Sequence, residues 1–221
     1  MTFVERVAVA ASNWIDGLPI DARSALHGAM QARPFPRGAL IYNRTDRPDG
    51  LYLIRSGSAL FQIDGINGKR FLLKIIRENE LFGEIAAYDG KPAPIAVEAR
   101  SAIVTDFIPI GHMEQLRSQF ASIDQALAAV ATQNLRATLT AIEELTLLDL
   151  RERAIACLKR LSTELGYPAD ACARIDVTQT EFASMLGASR QATNKVLSEF
   201  ESAGWLKRHF RHLIWMPSRI R

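Results

Sequence analysis

The apolar positions along the chain change their period twice, and these changes predict its architecture. Residues from about 12 to 33 carry apolar side chains at helical spacing, and Pro34 and Pro36 are expected to stop these short helices. From Gly38 to Gly111, short apolar runs are broken by turn residues, which is typical of a unit built from β-strands. After Gly111 the period becomes that of a helix again.

Five apolar runs in the central region are the predicted strands of a small sandwich or jelly roll. They are Leu51–Ile54, Ala59–Ile63, Phe71–Ile76, Ile95–Ala99 and Ile103–Ile110. Asp64-Gly65 and Asn67-Gly68 offer the positive-φ residues that hairpin turns need. Between the third and fourth runs, Glu80–Pro94 holds two Gly, two Pro and one short helical piece that begins near Glu84. This insert is either a binding loop on a rigid scaffold or a linker that plugs one end of the roll.

A long helix is predicted from about Phe120 to Asp149, where the chain contains neither Gly nor Pro. Such a helix is roughly 45 Å long. It carries two apolar stripes and therefore needs two partners, the roll of its own chain and a twin helix from a second chain. A buried Asn in a helical seam often fixes register, so we assign the stripe that contains Asn134 to a homodimer interface; burial wholly within one chain is the alternative. The interface stripe is Ile123, Leu127, Val130, Asn134, Ala137 and Ala141, and the second stripe is Leu135, Leu139, Ile142 and Leu145.

The stretch Val177–Leu206 has the pattern of two short helices joined by a tight turn. Thr178 and Glu181 have the spacing of a capping box at the start of the first helix. Gly187 is expected to end that helix in a left-handed conformation, and Ser189 to cap the second. The second helix is predicted to turn Ala192, Val196 and Phe200 inward, and to expose Arg190, Gln191, Asn194 and Lys195.

This pattern predicts a DNA-binding helix-turn-helix, which presents the start of its second helix to the major groove. Arg can bond bidentately to guanine, and Gln or Asn to adenine. The alternative is an ordinary helical hairpin whose polar face is merely solvated. Trp205–Met216 follows as a predicted two-stranded wing, whose cations Lys207, Arg208 and Arg211 are placed to meet phosphates. Thr178 and Ser189 complete the candidate DNA contacts.

Composition and charge narrow the class of protein. With 221 residues, 48% hydrophobic and 23% charged, the chain is ordinary for a globular protein of two domains. From Arg151 onward 12 Lys and Arg face 7 Asp and Glu, which suits a polyanionic partner. No apolar run approaches the ~20 residues of a membrane span, and the N-terminal stretch is a poor secretory signal. We therefore expect a cytoplasmic protein.

Catalytic and metal sites are not expected. His27, His112, His209 and His212 are scattered, Cys157 lies in an apolar helix, and no acid-base cluster has catalytic spacing. Two cysteines, Cys157 and Cys172, provide neither a disulfide framework nor the ligand set of an iron–sulfur cluster. The wing histidines have no carboxylate or thiol nearby in sequence, so phosphate contact or solvation is expected there instead of a metal.

Four stretches give the chain its resemblance to known proteins: LYLIRSGSALFQI, FGEIAAYDGKP, LLDLRERAIACL and LGASRQATNKVLSEFESAGWL. Together they resemble the Crp/Fnr superfamily of bacterial transcription regulators over nearly the whole chain. The resemblance implies an α+β protein with a β jelly roll sensor domain at residues 1–119, a long dimerisation helix at 120–149 and a winged helix-turn-helix at 150–221. It also implies a homodimer on a near-palindromic DNA site, with RNA polymerase as a further partner.

The resemblance weakens at the effector site. Members that bind cyclic nucleotides follow a Gly-Glu pair, here Gly83-Glu84, with an Arg that holds the phosphate about ten residues on. That position is Ala93, followed by Pro94, and Lys91 is a poor substitute for a bidentate guanidinium. Thr138 matches a position that contacts the base in some relatives. We therefore expect weak or absent binding of cyclic AMP and an unidentified small-molecule effector; a sensor that acts mainly through protein partners is the alternative function.

Overall fold

The computed structural model of the chain describes residues 14–65 and 68–219. Three features of the sequence analysis lie outside these residues. They are the start of the first predicted helix, most of the N-terminal stretch that was assessed as a secretory signal, and Asn67 of the second predicted turn. The chain divides into two compact units. The first unit contains the segment that ends at Asp64 and the segment Leu73–Thr138. The second unit contains Gly65–Leu72 and the chain from Leu139 onward.

Eight strands build the β-roll of the first part of the chain. They are β1 Gln31–Phe35, β2 Leu40–Tyr42, β3 Gly50–Ser56, β4 Ala59–Asp64, β5 Arg70–Ile76, β6 Leu81–Phe82, β7 Ala96–Ala99 and β8 Ile103–Pro109. They form two four-stranded sheets in the orders β1-β8-β3-β6 and β2-β7-β4-β5. All five predicted strands are present, and the roll is confirmed.

The structure corrects the prediction at the N-terminal side of the roll. Helix α1 spans only Ile20–Ala29, and Gln31–Phe35 forms an edge strand paired antiparallel with β8. Pro34 therefore does not stop a helix but lies inside a strand, opposite Val104. An edge strand tolerates proline because its missing N–H is not needed on the free side.

Two apolar clusters hold the roll and its helices together. Between the sheets, the ring of Tyr52 stacks on that of Phe82 at 4.8 Å and meets that of Phe107 at 4.9 Å. On the other side, Leu51, Leu81 and Ile108 pack against helices. These helices are α1, α3 (Ile110–Gln119) and the first turns of α4 (Ala121–Leu147). A further short helix, α2 (Glu84–Asp89), lies in the insert predicted between the third and fourth strands.

The second unit begins within α4 and continues with helices α5 Leu150–Glu164, α6 Gln179–Met185 and α7 Arg190–Ser202. Strands β9 Ala173–Ile175, β10 Leu206–Arg208 and β11 Leu213–Trp215 form an antiparallel sheet in the order β10-β11-β9, followed by a 3-10 turn at Pro217–Arg219. Strand β9 is not among the strands predicted from the sequence. None of the described helices is both long and apolar enough to cross a membrane.

The burial of the two α4 stripes differs from the prediction. Ile123, Leu127 and Val130 are 0%, 1% and 4% exposed, because they pack in the cluster formed by α1, α3 and the roll. The prediction that these three residues face a twin helix is therefore wrong. Three of the large apolar residues exposed on α4 belong to the second stripe: Leu135, Leu139 and Ile142 are 59%, 57% and 51% exposed. Leu147, at the end of the helix and outside both stripes, is 74% exposed. Ala137 is exposed and Ala141 half-buried, so both remain available to a second chain.

Candidate functional site

The helix-turn-helix of the second unit starts with the predicted capping box. The Thr178 hydroxyl accepts a hydrogen bond from the Glu181 N–H at 3.1 Å, and the Glu181 carboxylate accepts one from the Thr178 N–H at 2.7 Å. These bonds satisfy backbone donors that the first turn of α6 cannot pair within the helix. Thr178 is thus first a structural cap, and only its hydroxyl proton remains for a DNA phosphate.

The turn between the two helices also has the predicted geometry. Gly187 follows the C-cap of α6 with a φ of +61°, a conformation that a side chain disfavours. Ser189 then caps α7, because its hydroxyl accepts a hydrogen bond from the Ala192 N–H at 3.1 Å. The sequence places Arg190 immediately after this cap, at the first position of α7.

The outer face of α7 is polar and accessible. Arg190, Gln191 and Lys195 are exposed, and they line an open depression together with Asn194, Ser198 and Glu199. The inner face is wider than predicted: Thr193 and Leu197 are buried beside Val196 and Phe200, whereas Ala192 is only half-buried. Asn194 is also half-buried, and its side-chain oxygen is enclosed without a hydrogen-bond partner among the described residues. Of the four DNA contacts predicted on this helix, Arg190, Gln191 and Lys195 are consequently the ones that are fully accessible.

The wing is present, but one of its predicted phosphate ligands has a different role. Glu201, in the last turn of α7, accepts hydrogen bonds from the Arg208 N–H at 3.0 Å and from Arg208 Nε at 2.7 Å. These bonds and the Arg208 charge lower the pKa of the Glu201 carboxyl. Arg208 therefore anchors the wing to α7, which leaves Lys207 and Arg211 as the exposed wing cations. This ion pair was not predicted, because its partners lie seven residues apart across a turn.

Arg153, a residue for which the sequence analysis predicted no role, holds helix α6, the first helix of the helix-turn-helix. The Arg153 guanidinium donates to the Leu186 carbonyl at 2.8 Å and to the Leu148 carbonyl at 3.2 Å. Leu186 is the C-cap of α6, and Leu148 follows the last residue of α4. One side chain thus fixes the end of α6 against the junction between α4 and α5. Arg153 could be found only from the fold, since its two acceptors are backbone atoms.

The predicted effector residues converge in the first unit. Gly83, Glu84, Ala93 and Pro94 line one cavity of about 10 Å³, whose other walls are mainly apolar. Pockets for small-molecule ligands usually measure about 300–1,000 Å³, and about 10–15 Å³ holds one water molecule. The cavity residues include no Lys or Arg. The ten lining residues are Tyr42, Pro48, Phe61, Gly83, Glu84, Ile85, Ala86, Ala93, Pro94 and Ile95.

Backbone geometry explains why Gly83 and Ala93 lie at this cavity. Gly83 has a φ of +90°, and a Cβ there would lie 2.7 Å from the Gly50 carbonyl oxygen. The position therefore requires glycine, which lets α2 begin close to β3. Ala93 is buried and bonded on both sides, since its N–H donates to Asp46 at 2.7 Å and its carbonyl accepts from Thr45 at 2.8 Å. Its methyl group adds no charge or donor to the cavity.

Glu84 is the only acidic residue among those that line the cavity, and it is already engaged. Its carboxylate is 3% exposed and accepts a hydrogen bond from the Asn134 side-chain amide at 2.7 Å. Burial raises the pKa of Glu84, while the hydrogen bonds from its own N–H and from Asn134 and the charge of Lys74 oppose the rise. Asn134 thus bonds to helix α2 of its own chain, whereas the sequence analysis assigned it to a seam with a twin helix.

Thr138 and Lys91 offer little to a ligand in this arrangement. The Thr138 hydroxyl donates to the Asn134 carbonyl one turn earlier at 2.8 Å, as helical threonines often do. Lys91 is highly exposed and pairs with Asp89 at 3.7 Å. Neither side chain supplies the cation that a buried phosphate requires.

Metal ligands do not converge in the part of the chain that the structure describes: no three His, Cys, Asp or Glu side chains there form a group that could hold an ion. The rings of His209 and His212 stack at 4.3 Å across the wing turn. Cys157 is fully buried, and burial raises the pKa of its thiol to about 12, so it is a poor nucleophile.

Comparison with known proteins decides the family. Residues 32–120 match the cyclic nucleotide-binding domain family, and residues 145–219 match the Crp-like helix-turn-helix domain family. The chain belongs to the Crp/Fnr superfamily of transcription regulators. As a Crp/Fnr regulator it is not an enzyme, which agrees with the prediction from its scattered histidines.

A curated relative matches most of the chain, and two solved structures share its fold. A CRP-like cAMP-activated global transcriptional regulator of Mycobacterium tuberculosis is 29% identical over 204 residues, which is 90% of each chain. The c-di-GMP responsive global regulator CLP of Xanthomonas campestris has the same fold, with a TM-score of 0.73, 19% identity and coverage of 90% of this chain and 99% of the other. FixK2 from Bradyrhizobium japonicum superimposes with a TM-score of 0.75 at 15% identity, over 86% and 94% of the two chains.

Proposed function

We propose that this Crp/Fnr regulator acts as a homodimer on a near-palindromic DNA site. The observation that carries the proposal is the capped start of α7, which exposes Arg190, Gln191 and Lys195 on one accessible face. Two such helices must lie about 34–36 Å apart to enter successive major grooves on one side of a duplex. Duplex DNA as the partner places the protein in the bacterial cytoplasm, where RNA polymerase is its further partner.

Each exposed residue of α7 suits a particular task. Arg190 presents a planar guanidinium that matches the O6 and N7 acceptors of guanine. Gln191 suits adenine, since its amide both donates and accepts. Lys195 is a point charge that suits a phosphate or a guanine, and Lys207 and Arg211 of the wing suit phosphates.

The homodimer is supported by the second stripe of α4. Leu135, Leu139 and Ile142 follow one another at helical spacing, and each is more than half exposed in the single chain. A row of exposed leucine and isoleucine side chains along a helix favours pairing with a second helix.

We propose further that cyclic AMP is not the effector in the manner of a nucleotide held by a phosphate-binding arginine. The cavity beside Glu84 is about 10 Å³ and has no basic residue in its lining, and the Asn134 amide already occupies the carboxylate. A small molecule that opens this cavity without needing a cation remains the proposed effector. The named relatives respond to two different nucleotides, so the effector is not fixed by the family.

Selection of bound duplexes from a random pool tests both parts of the proposal. The full chain is used with and without cyclic AMP, cyclic GMP and cyclic di-GMP. Enrichment of the same near-palindromic motif in all conditions is the expected result. Enrichment only with cyclic AMP would contradict the effector proposal, and failure to enrich any motif in any condition would contradict the proposed function.

A further inference from the structure

The tip of the wing carries an aromatic side chain that the fold does not use. Phe210 is 92% exposed, although the same hairpin buries Leu206, Leu213 and Trp215 completely. A single exposed apolar residue is common on protein surfaces and needs no explanation by itself. The surroundings of Phe210 make it different.

Two exposed cations lie close in sequence to this aromatic side chain. Lys207 and Arg211 are both exposed, and the hairpin from Leu206 to Trp215 contains no acidic residue. The charge of the third cation, Arg208, is engaged by Glu201. An apolar tip flanked by positive charge complements the minor groove of duplex DNA, whose edges are phosphates and whose floor is base pairs.

The tip is also held in one conformation. The His209 N–H donates to the His212 carbonyl at 3.0 Å, which closes the turn with Phe210 and Arg211 at its centre. The imidazole rings of His209 and His212 stack with an interplanar angle of 9°. Because the turn is already ordered, docking of Phe210 would lose little conformational freedom on binding.

The wing is attached at the end of α7 opposite to the residues that suit base edges. Arg190 is the first residue of α7, and Glu201, which bonds to Arg208, lies in the last turn of this helix of 13 residues. These ends are roughly 20 Å apart. When the start of α7 enters a major groove about 12 Å wide, a hairpin fixed at the other end can extend across the phosphate backbone to the adjoining minor groove.

We propose that the wing tip docks in the minor groove that flanks the α7 binding site, with Phe210 wedged against a base step and Lys207 and Arg211 on the phosphates at the groove edges. The proposal rests on the proposed function, because it requires the second unit to lie on duplex DNA. Apolar wedges of this kind partly unstack a base step and favour flexible pyrimidine–purine steps. Phe210 therefore adds a sequence preference at a position that no hydrogen bond reads.

The test uses the full chain and a duplex selected by it from a random pool. 2-Aminopurine replaces adenine at each flanking position in turn, and its emission rises when a neighbouring base is unstacked. Wild-type protein and Phe210→Leu are expected to raise the emission at one flanking step. Phe210→Ala is expected to abolish the rise and to weaken affinity about tenfold, the loss expected when a buried aromatic contact is removed. Ile20→Ala is the matched control, since Ile20 is 76% exposed but lies in the first unit.

The possible outcomes separate the wedge from the proposed function. If wild-type protein selects a motif but Phe210→Ala binds it equally and no step changes emission, the wedge is wrong and the regulator remains. The wedge is also wrong, and the regulator again remains, if Phe210→Ala keeps full DNA affinity but loses binding to a purified protein partner such as RNA polymerase. If wild-type protein selects no motif, both proposals fail. Circular dichroism of the variant checks its folding, which is expected to be unchanged because Phe210 is solvent-exposed.

Discussion

Asn134 of the long helix α4 donates a 2.7 Å hydrogen bond to the buried carboxylate of Glu84, at the start of helix α2. Glu84 also lines the small cavity of the roll, so this bond links α4 to a wall of the cavity. Any ligand that uses the same carboxylate oxygen would compete with the Asn134 amide.

Asn134→Ala should lower the free energy of unfolding by about 1–3 kcal/mol, because it leaves the Glu84 carboxylate buried without that donor. Urea denaturation of the full chain measures the change. Gln125→Ala is the control, as Gln125 is exposed on the same helix. Equal stability of the two variants would show that the Asn134 bond contributes nothing.

Glu84→Gln should change how stability depends on pH. Burial raises the pKa of Glu84 above its ordinary value of 4.5, so the folded state holds this proton more tightly than the unfolded state. The contribution of protonated Glu84 to stability is complete below about pH 4.5, and it is lost as the pH rises through the pKa that Glu84 has in the folded state. Glutamine at this position keeps an acceptor for Asn134 without the charge. The Glu84→Gln variant should therefore gain stability relative to wild type as pH rises from 4 to 7.

Denaturation curves at several pH values measure this difference, and Glu114→Gln, at an exposed position of α3, is the control. Lys74 and Tyr42 also face the Glu84 carboxyl: the Lys74 charge favours the ionised form of Glu84, and the pKa of Tyr42 is raised by burial and then by the Glu84 charge. A constant difference between Glu84→Gln and wild type across the range would contradict the linkage.

Arg190→Ala should cost about 1–3 kcal/mol of binding free energy and relax specificity at one base pair of each half-site. The reason is the loss of a bidentate contact to one guanine. Titration of a set of duplexes with single base changes measures the loss. A uniform weakening of all duplexes by the same factor would mean that Arg190 contacts phosphate instead.

Lys207→Ala should weaken binding to every duplex alike and reduce the slope of log affinity against log salt by about 1, because it removes one phosphate contact. Arg208→Ala should behave differently, since Arg208 is bonded to Glu201 and its loss releases the wing from α7. Thermal unfolding together with salt titrations separates the two effects. If both variants changed only the salt slope, the anchoring role of Arg208 would be refuted.

Leu139→Asp should give a folded monomer, because Leu139 is 57% exposed in the single chain. Ile123→Asp should unfold the chain instead, since it buries a charge in the cluster between α4 and the roll. Analytical ultracentrifugation and circular dichroism distinguish these results. A folded dimer for Leu139→Asp would place the interface elsewhere.

The helix-turn-helix could be predicted well because its signals are local. Thr178 with Glu181, Gly187 and Ser189 specify caps and a turn by residue type and spacing alone, and each has the predicted geometry. The strands with central apolar runs could be predicted for the same reason. Strand β1 could not, since its backbone hydrogen bonds to β8 depend on residues about 70 positions away.

The stripes of α4 show where a sequence pattern is insufficient. Both stripes have helical spacing, and only the three-dimensional position of α1, α3 and the roll decides which is covered. Asn134 then has its partner 50 residues earlier in the chain, in a short helix of the insert. The ion pair between Glu201 and Arg208 is similar, because it depends on how the wing folds back on α7.

The bonds between Glu201 and Arg208 join the last turn of α7 to the wing hairpin. The two DNA contacts proposed for one chain, the start of α7 and the tip of the hairpin, therefore belong to one connected element. In the proposed homodimer, a signal would act on the distance between two such elements and would leave the footprint of each unchanged. We expect operators that differ by a single base pair of central spacing to respond differently to the same signal.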